Sequence, residues 1–176
     1  MTALRFVRGL ALAAVLALAA APEFPRYKSE RLQRVGTEAL RALVRRPGEV
    51  ADPKGALSRI EQLALAAAPA LPGDSRPWIL AGSTRLVAGE PDRALVHYRR
   101  ALALGERAEI DINMGRALEG LGDTEASRRA FLRAVWISPP LLNSLLPDVA
   151  SEIRPEIHRL EELLRAGKLG GPPAPP

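Results

Sequence analysis

Only two histidines, His97 and His158, are available for acid–base or metal chemistry, and the chain has no cysteine to join them. A zinc site needs three or four converging His, Cys or carboxylate ligands, and neither histidine has that company. His97 stands beside Tyr98, next to an apolar stripe, where a ligand, a base or a partly exposed helical histidine would all fit. His158 lies among charged neighbours. Glu161 and Glu162 are adjacent, so on a helix they project in different directions and do not form an acid–base pair. Gly170-Gly171 is followed by no helix, which excludes a phosphate-cradling loop. These residues predict no enzyme, no cofactor and no metal site.

The elements that carry these side chains show an internal repeat. Two stretches match at an offset of 33: Gly82 with Gly115, Gly89 with Gly122, Tyr98 with Phe131, Arg100 with Arg133, Ala101 with Ala134 and Leu102 with Val135. A fixed period of this length marks an array of helical hairpins. Gly82 and Gly115 fall inside predicted helices, where glycine costs about 1 kcal/mol relative to alanine. Close helix contact would offset that cost, with Ala94 and Ser127 as the small residues opposite and Tyr98 and Phe131 filling the gap beside them. Gly89 and Gly122 follow apolar runs and suit the left-handed residue just past a helix end. Pro91-Asp92 and Asp123-Thr124 then open the next helices. Ala94, Leu95, Tyr98, Ala101 and Leu102 have the spacing of one buried helical face.

The units read Trp78-x2-Ala81-Gly82-x2-Arg85, Gly89, Ala94-x3-Tyr98-x2-Ala101, and then Met114-Gly115-x2-Leu118, Gly122, Ser127-x3-Phe131-x2-Ala134, Pro139. This pattern resembles the tetratricopeptide repeat over residues 75–140. Asp111 stands where the second unit should carry Trp, Arg85 and Leu118 replace the motif's Tyr, and Glu106 replaces the first Pro. The resemblance implies an all-α fold of antiparallel hairpins stacked as a short right-handed solenoid. It also implies a concave groove lined by the first helix of each unit. Carried onto this chain, the groove positions are Arg76, Ile79, Ser83 and Leu86, then Glu109, Ile112, Asn113, Arg116 and Glu119. Some members of the family clamp a terminal carboxylate with Lys and Asn. Ile79 and Ile112 stand where that Lys would be and Arg116 replaces an Asn, so the groove is expected to be apolar-floored with Arg at its edges, suited to an extended or helical segment of another protein.

The flanks complete the array. Residues 28–74 read as a degenerate hairpin: a helix from about Ser29 to Arg45, a loop from Arg46 to Lys54, and a second helix with Ala56-x3-Ile60-x2-Leu63. Residues 141–167 read as capping helices, with Pro147 interrupting an apolar run and Pro155 opening a last helix whose charged face suits a solvated cap. Residues 168–176 are Gly- and Pro-rich and are expected to be extended or disordered. Trp78 occupies the repeat's own Trp position and is expected in the core. Trp136 is expected against the downstream cap or, if exposed, as a partner anchor.

The N-terminus adds an address. Arg5 and Arg8 precede Leu10–Ala21, twelve consecutive Ala, Leu and Val residues, which is the layout of a secretory signal peptide over residues 1–21. Ala17-x-Ala19 is the better cleavage site, because Pro22 would distort a cut after Ala21. An uncleaved anchor is the alternative. The formal charge is +5; without Arg5 and Arg8, 25 − 2 = 23 basic residues face 20 acidic ones, leaving +3. Arg41, Arg45 and Arg46 cluster, as do Arg128, Arg129 and Arg133, but without the interleaved aromatics that nucleic acid binding wants. Three functional readings stay open: an exported scaffold of the bacterial cell envelope that binds another protein, a membrane-tethered accessory subunit, and a binder of anionic polysaccharide or lipid through the Arg clusters.

Overall fold

The computed structural model describes residues 23–175. The predicted leader and its cleavage sites lie outside the described residues. Among those described there is no strand, and the helices pack in neighbouring pairs. They are α1 (Glu23–Arg45), α2 (Pro53–Ala67), α3 (Arg76–Val87), α4 (Pro91–Leu102), α5 (Ala108–Gly120), α6 (Thr124–Ile137) and α7 (Pro147–Arg165). Successive helices contact one another, and α3 also touches both α1 and α5, so α1, α3 and α5 form one side of the stack.

Local chemistry explains most boundaries. Gly89 and Gly122 adopt φ of 76° and 78°, a left-handed conformation that ends α3 and α5 and costs other residues far more. The Asp123 carboxylate accepts from the Ala126 amide at 3.1 Å and caps α6. Asp52 caps α2 in the same way, accepting from Gly55 at 2.9 Å, and Pro53 supplies the first helical residue. The preceding loop therefore ends at Asp52, two residues short of Lys54.

Two helix starts differ from the sequence reading. The first helix is already formed at Glu23, where the described residues begin, six residues before the expected Ser29. The last helix begins at Pro147 and runs through Pro155. An interior proline costs about 3 kcal/mol. Here Ala150, Ile153 and Ile157 are buried along one stripe against α6 and offset that cost, while Pro155 itself is exposed. Downstream of α7, Gly167 is left-handed and the tail is irregular, but it is not free. The Arg133 guanidinium donates to the Pro173 carbonyl, holding the tail on α6.

Three apolar clusters fill the seams between hairpins. Leu40, Leu43, Leu57, Ile60, Ala64 and Leu80 join α1, α2 and α3. Ile79, Leu95, Tyr98, Ile110, Met114 and Leu118 join α3, α4 and α5. Ile112, Phe131, Val135, Ile153 and Ile157 join α5, α6 and α7. Trp136 packs half-buried in the last of these. Each hairpin thus leaves an apolar face that the next element covers, and α7 covers the final one.

Glycine sets the spacing within the two central hairpins. A Cβ on Gly82 would stand 2.6 Å from Tyr98 Cε1, and one on Gly115 would stand 2.5 Å from Phe131 Cε1. The two rings lie flat against bare helix backbone. Ser127 adds a polar tie, donating from its hydroxyl to the Gly115 carbonyl at 3.0 Å.

Candidate functional site

The side of the stack formed by α1, α3 and α5 carries a cleft between these helices. Its central part, about 330 Å³, is lined by Gln33, Thr37, Leu40 and Arg41 of α1, by Arg76, Ile79, Leu80 and Ser83 of α3, and by Arg107 and Glu109 at the start of α5. Two adjoining depressions extend along α1, and both are also lined by Arg76. Arg76 is therefore the residue on which the open surface converges. Its guanidinium is held by Asp74 through contacts of 2.8 and 2.5 Å, and the Asp74 side chain also accepts from the Arg76 amide at 2.9 Å. Burial alone would raise the Asp74 carboxyl, but these bonds outweigh it and keep the group below its ordinary range.

Tyr98 reaches this side from behind. It comes from α4, passes the bare backbone at Gly82, and donates its hydroxyl to Ser83 Oγ at 3.2 Å. Burial pushes its phenol up to about 12, while the Ser83 bond and the nearby Arg116 charge oppose that. The hydroxyl is thus a fixed neutral group tying α4 to α3 within the first central hairpin, in the electrostatic reach of Glu109 and Arg116 on α5.

The cleft is charged with both signs at its edges. Arg34, Arg41 and Arg107 line it without an ion-pair partner among the described residues, as do Glu38 and Glu109, whereas Glu30 is paired with Arg26 at 3.6 Å. A surface with open guanidinium groups over a short apolar floor presents planar, multi-donor heads to carboxylates and backbone carbonyls.

The expected groove residues divide. Arg76, Arg116, Glu109 and Glu119 are exposed, and Ser83, Leu86 and Asn113 are half-buried. Asn113 accepts from Arg116 at 3.1 Å. Ile79 is buried and offers only an edge to the cleft floor. Ile112 is a correction. It is buried among Phe131, Val135 and Ile153 beneath α7 and cannot contact a partner, because the last helix folds over the face that the repeat pattern leaves open. The α1 contribution, from Gln33, Thr37 and Arg41, was not legible from the repeat, since α1 has no counterpart at the offset of 33. Arg41 also parts from Arg45 and Arg46, which line a different depression near Glu49.

His97 and Trp78 belong to a separate, partly buried polar cluster. Glu61 of α2 is bound by Arg85 of α3, with Nε at 2.6 Å from Oε1, and His97 Nε2 stands 3.3 Å from the same oxygen. Arg85 also reaches Glu90 at 2.8 Å. Trp78 stacks on His97 with centroids 6.1 Å apart, and Arg100 lies 4.7 Å above its ring. Trp78 is therefore half-buried under a cation and not sunk in the core, and His97 ties α4 to α2. Arg85, where the motif has Tyr, replaces an aromatic contact with an ion pair across the seam. The other Arg cluster is also engaged. Arg128 binds Glu156 of α7 at 2.6 Å, and Arg133 binds Glu106 at 2.5 Å. No group of His, Asp and Glu able to hold a metal ion occurs among the described residues.

Comparison with family models, curated proteins and solved structures returns no match for this chain.

Proposed function

We propose that the chain is an exported scaffold of the cell envelope, built as tetratricopeptide-type hairpins in a short right-handed solenoid, which binds a segment of another protein in the cleft of α1, α3 and α5. The observation that carries this reading is the convergence of three adjoining depressions on Arg76, bordered by the unpaired guanidinium groups of Arg34, Arg41 and Arg107. An open, elongated surface of this kind fits a peptide or helix better than an enclosed small molecule. The placement of α3 against both α1 and α5 supports a common concave side. Export rests on the sequence of the leader, and the expected mature terminus is Ala20. Mass determination of the protein from the envelope fraction checks it, with an intact Met1 or Thr2 terminus as the opposing outcome.

Binding is tested by paired substitutions. Arg76→Ala with Arg116→Ala is expected to abolish capture of the partner from envelope extract while helicity is unchanged, because truncating a hot spot costs about 2 kcal/mol or more, some thirtyfold in affinity. The control is Arg99→Ala with Arg129→Ala. Both are exposed on the second helices and have no ion-pair partner among the described residues. Arg128 is unsuited as a control because Glu156 holds it to α7. Loss of capture in the control with retention in the first pair would move the partner to the opposite face. Polymer binding through the Arg128–Arg133 cluster has little support, since Arg128 and Arg133 already have carboxylate partners.

A further inference from the structure

Beside the central cleft, a depression of about 480 Å³ lies between the first half of α1 and the loop that leads into α3. Its charged and hydroxyl lining is Arg26 and Glu30 of α1, Asp74, Ser75 and Arg76 at the start of α3, and Arg107 just before α5. Arg76 and Arg107 also line the central cleft, so the two spaces adjoin. Glu30 is taken by Arg26 and Asp74 by Arg76. Three guanidinium groups therefore face two carboxylates, and one positive charge is left over. Arg107 is exposed and has no ion-pair partner among the described residues. Its charge reaches Asp74: burial raises that carboxyl, and the Arg76 bonds together with the Arg107 charge bring it below its ordinary range.

Ser75 is a second, independent mark of a ligand. It stands in the cap position of α3, yet its side chain makes no cap bond. Pro77, the second helical residue, has no amide to offer it, and the Arg76 amide donates to Asp74 Oδ1 at 2.9 Å instead. Ser75 is 7% exposed, and its hydroxyl has no hydrogen-bond partner among the described residues. Of those residues only Asp111 has unpaired side-chain oxygens that are fully enclosed. The Ser75 hydroxyl therefore reaches open space, and the space that Ser75 lines is the depression. A hydroxyl has a proton to donate, and a buried donor left unused is costly. The surplus of one positive charge defines the matching acceptor as a singly charged oxygen group. A carboxylate fits the planar guanidinium fork with two parallel bonds, whereas a phosphate carrying nearly two charges would reverse the sign of the local balance.

We propose that this depression is the seat of one carboxylate, held by Arg107 and the Ser75 hydroxyl with Arg76 at its rim, and that an acidic side chain of the segment lying in the cleft supplies it. The source of the carboxylate rests on the cleft binding a protein segment; the seat itself does not. Glu109 lines the central cleft but not the depression, so the acidic residue belongs at the end of the segment that lies against the start of α3. Lys28 and Arg31 share a stripe of α1 with the exposed Phe24 and Tyr27 and do not line the depression.

Two probes titrated into the full chain test the seat. N-acetyl-glutamate N-methylamide presents one side-chain carboxylate, and N-acetyl-glutamine N-methylamide is its neutral twin. Backbone and guanidinium NMR resonances are followed. The carboxylate probe is expected to give saturable shifts in residues 71–76 and at Arg107, and the neutral twin none. Arg107→Gln is expected to weaken the carboxylate probe at least about tenfold and Ser75→Ala about fivefold, as hydrogen bonds to a charged group allow. Ser75→Ala removes no cap bond, so its unfolding midpoint should match the parent's. Arg99→Gln, at an exposed position of α4 away from the depression, is the control and should change nothing. Shifts that do not saturate, that the neutral twin shares, or that centre on Lys28 and Arg31 would overturn the seat, as would tighter binding of inorganic phosphate. Capture of the partner from envelope extract separates the seat from the cleft reading. Loss of both probe and partner in Arg107→Gln is the expected result. Retained capture with probe binding lost would overturn the side-chain source and leave the cleft reading standing. Probe binding by a parent chain that captures nothing would overturn the cleft reading, and the side-chain source with it, and leave the seat.

Discussion

Gly115→Ala is expected to lower stability, by up to about 2 kcal/mol net, although alanine is the better helix former by about 1 kcal/mol. The new methyl carbon would stand 2.5 Å from Phe131 Cε1 and 2.6 Å from Cδ1. Phe131 has no room to withdraw, being 3% exposed with Ile112, Val135 and Ile153 around it. Overpacking a filled core costs ~1–3 kcal/mol, and here the clash is with a ring held on two sides. Gly82→Ala is expected to behave alike, because Tyr98 is fully buried and its hydroxyl is tied to Ser83. Leucine at either position should be worse. The midpoint of urea unfolding is the measurement. A double-mutant cycle strengthens it: Gly115→Ala with Phe131→Leu should cost at least about 1 kcal/mol less than the sum of the single changes, since the shorter side chain vacates the contested space. Either alanine variant proving more stable than the parent would remove the close-contact role of these glycines.

The second large effect concerns Asp111. Its side chain is fully buried, both carboxylate oxygens lack a hydrogen-bond partner, and it occupies the position where the repeat motif carries tryptophan. Burial raises its pKa from 3.8 to about 6, the Glu106 charge adds to the rise, and Arg133 opposes it. The folded state therefore holds this proton more tightly than the unfolded state does. Between pH 4 and about 6 the native chain binds more protons, so this contribution makes stability fall as pH rises through that window and flat above it. The shift of about two units corresponds to roughly 3 kcal/mol lost at neutral pH relative to pH below 4. Asp111→Asn is expected to recover a large part of that at pH 7.5, to change little at pH 4, and to flatten the pH profile between. Thermal or urea unfolding across that range checks it, and a variant with the parent's slope would show that the carboxyl does not titrate in the folded state. The variant should leave the cleft untouched, because Asp111 lies on the buried face of α5, away from Glu109 and Arg116.

Much of this architecture is legible in the residues. The ring-on-glycine pairs, the left-handed Gly89 and Gly122, the cap at Asp123, the opening Pro91 and the two central hairpins follow from contacts between residues close in sequence. Their spacing is set by helix geometry, which is the same wherever the segment lies, so an offset of 33 can carry them. The aromatic end of α1 was half legible. Phe24 and Tyr27 are plain in the sequence, but helix across Pro25 is not, because proline is the poorest helix former.

What only the tertiary structure decided depends on partners far along the chain. Arg85 meets Glu61 24 residues away, and Arg133 meets Glu106 at 27 and the Pro173 carbonyl at 40. No periodicity encodes these pairs, because each joins elements whose mutual angle is set by packing. Ile112 has the same spacing as Ile79 within its unit, yet one borders the open cleft and the other is covered, because α7 folds over the last hairpin. The same packing lets α7 run through Pro155, since the burial of Ala150, Ile153 and Ile157 outweighs a local penalty that the sequence shows alone. Local geometry thus set the repeat in the sequence, whereas long-range burial chose which of its faces stays open.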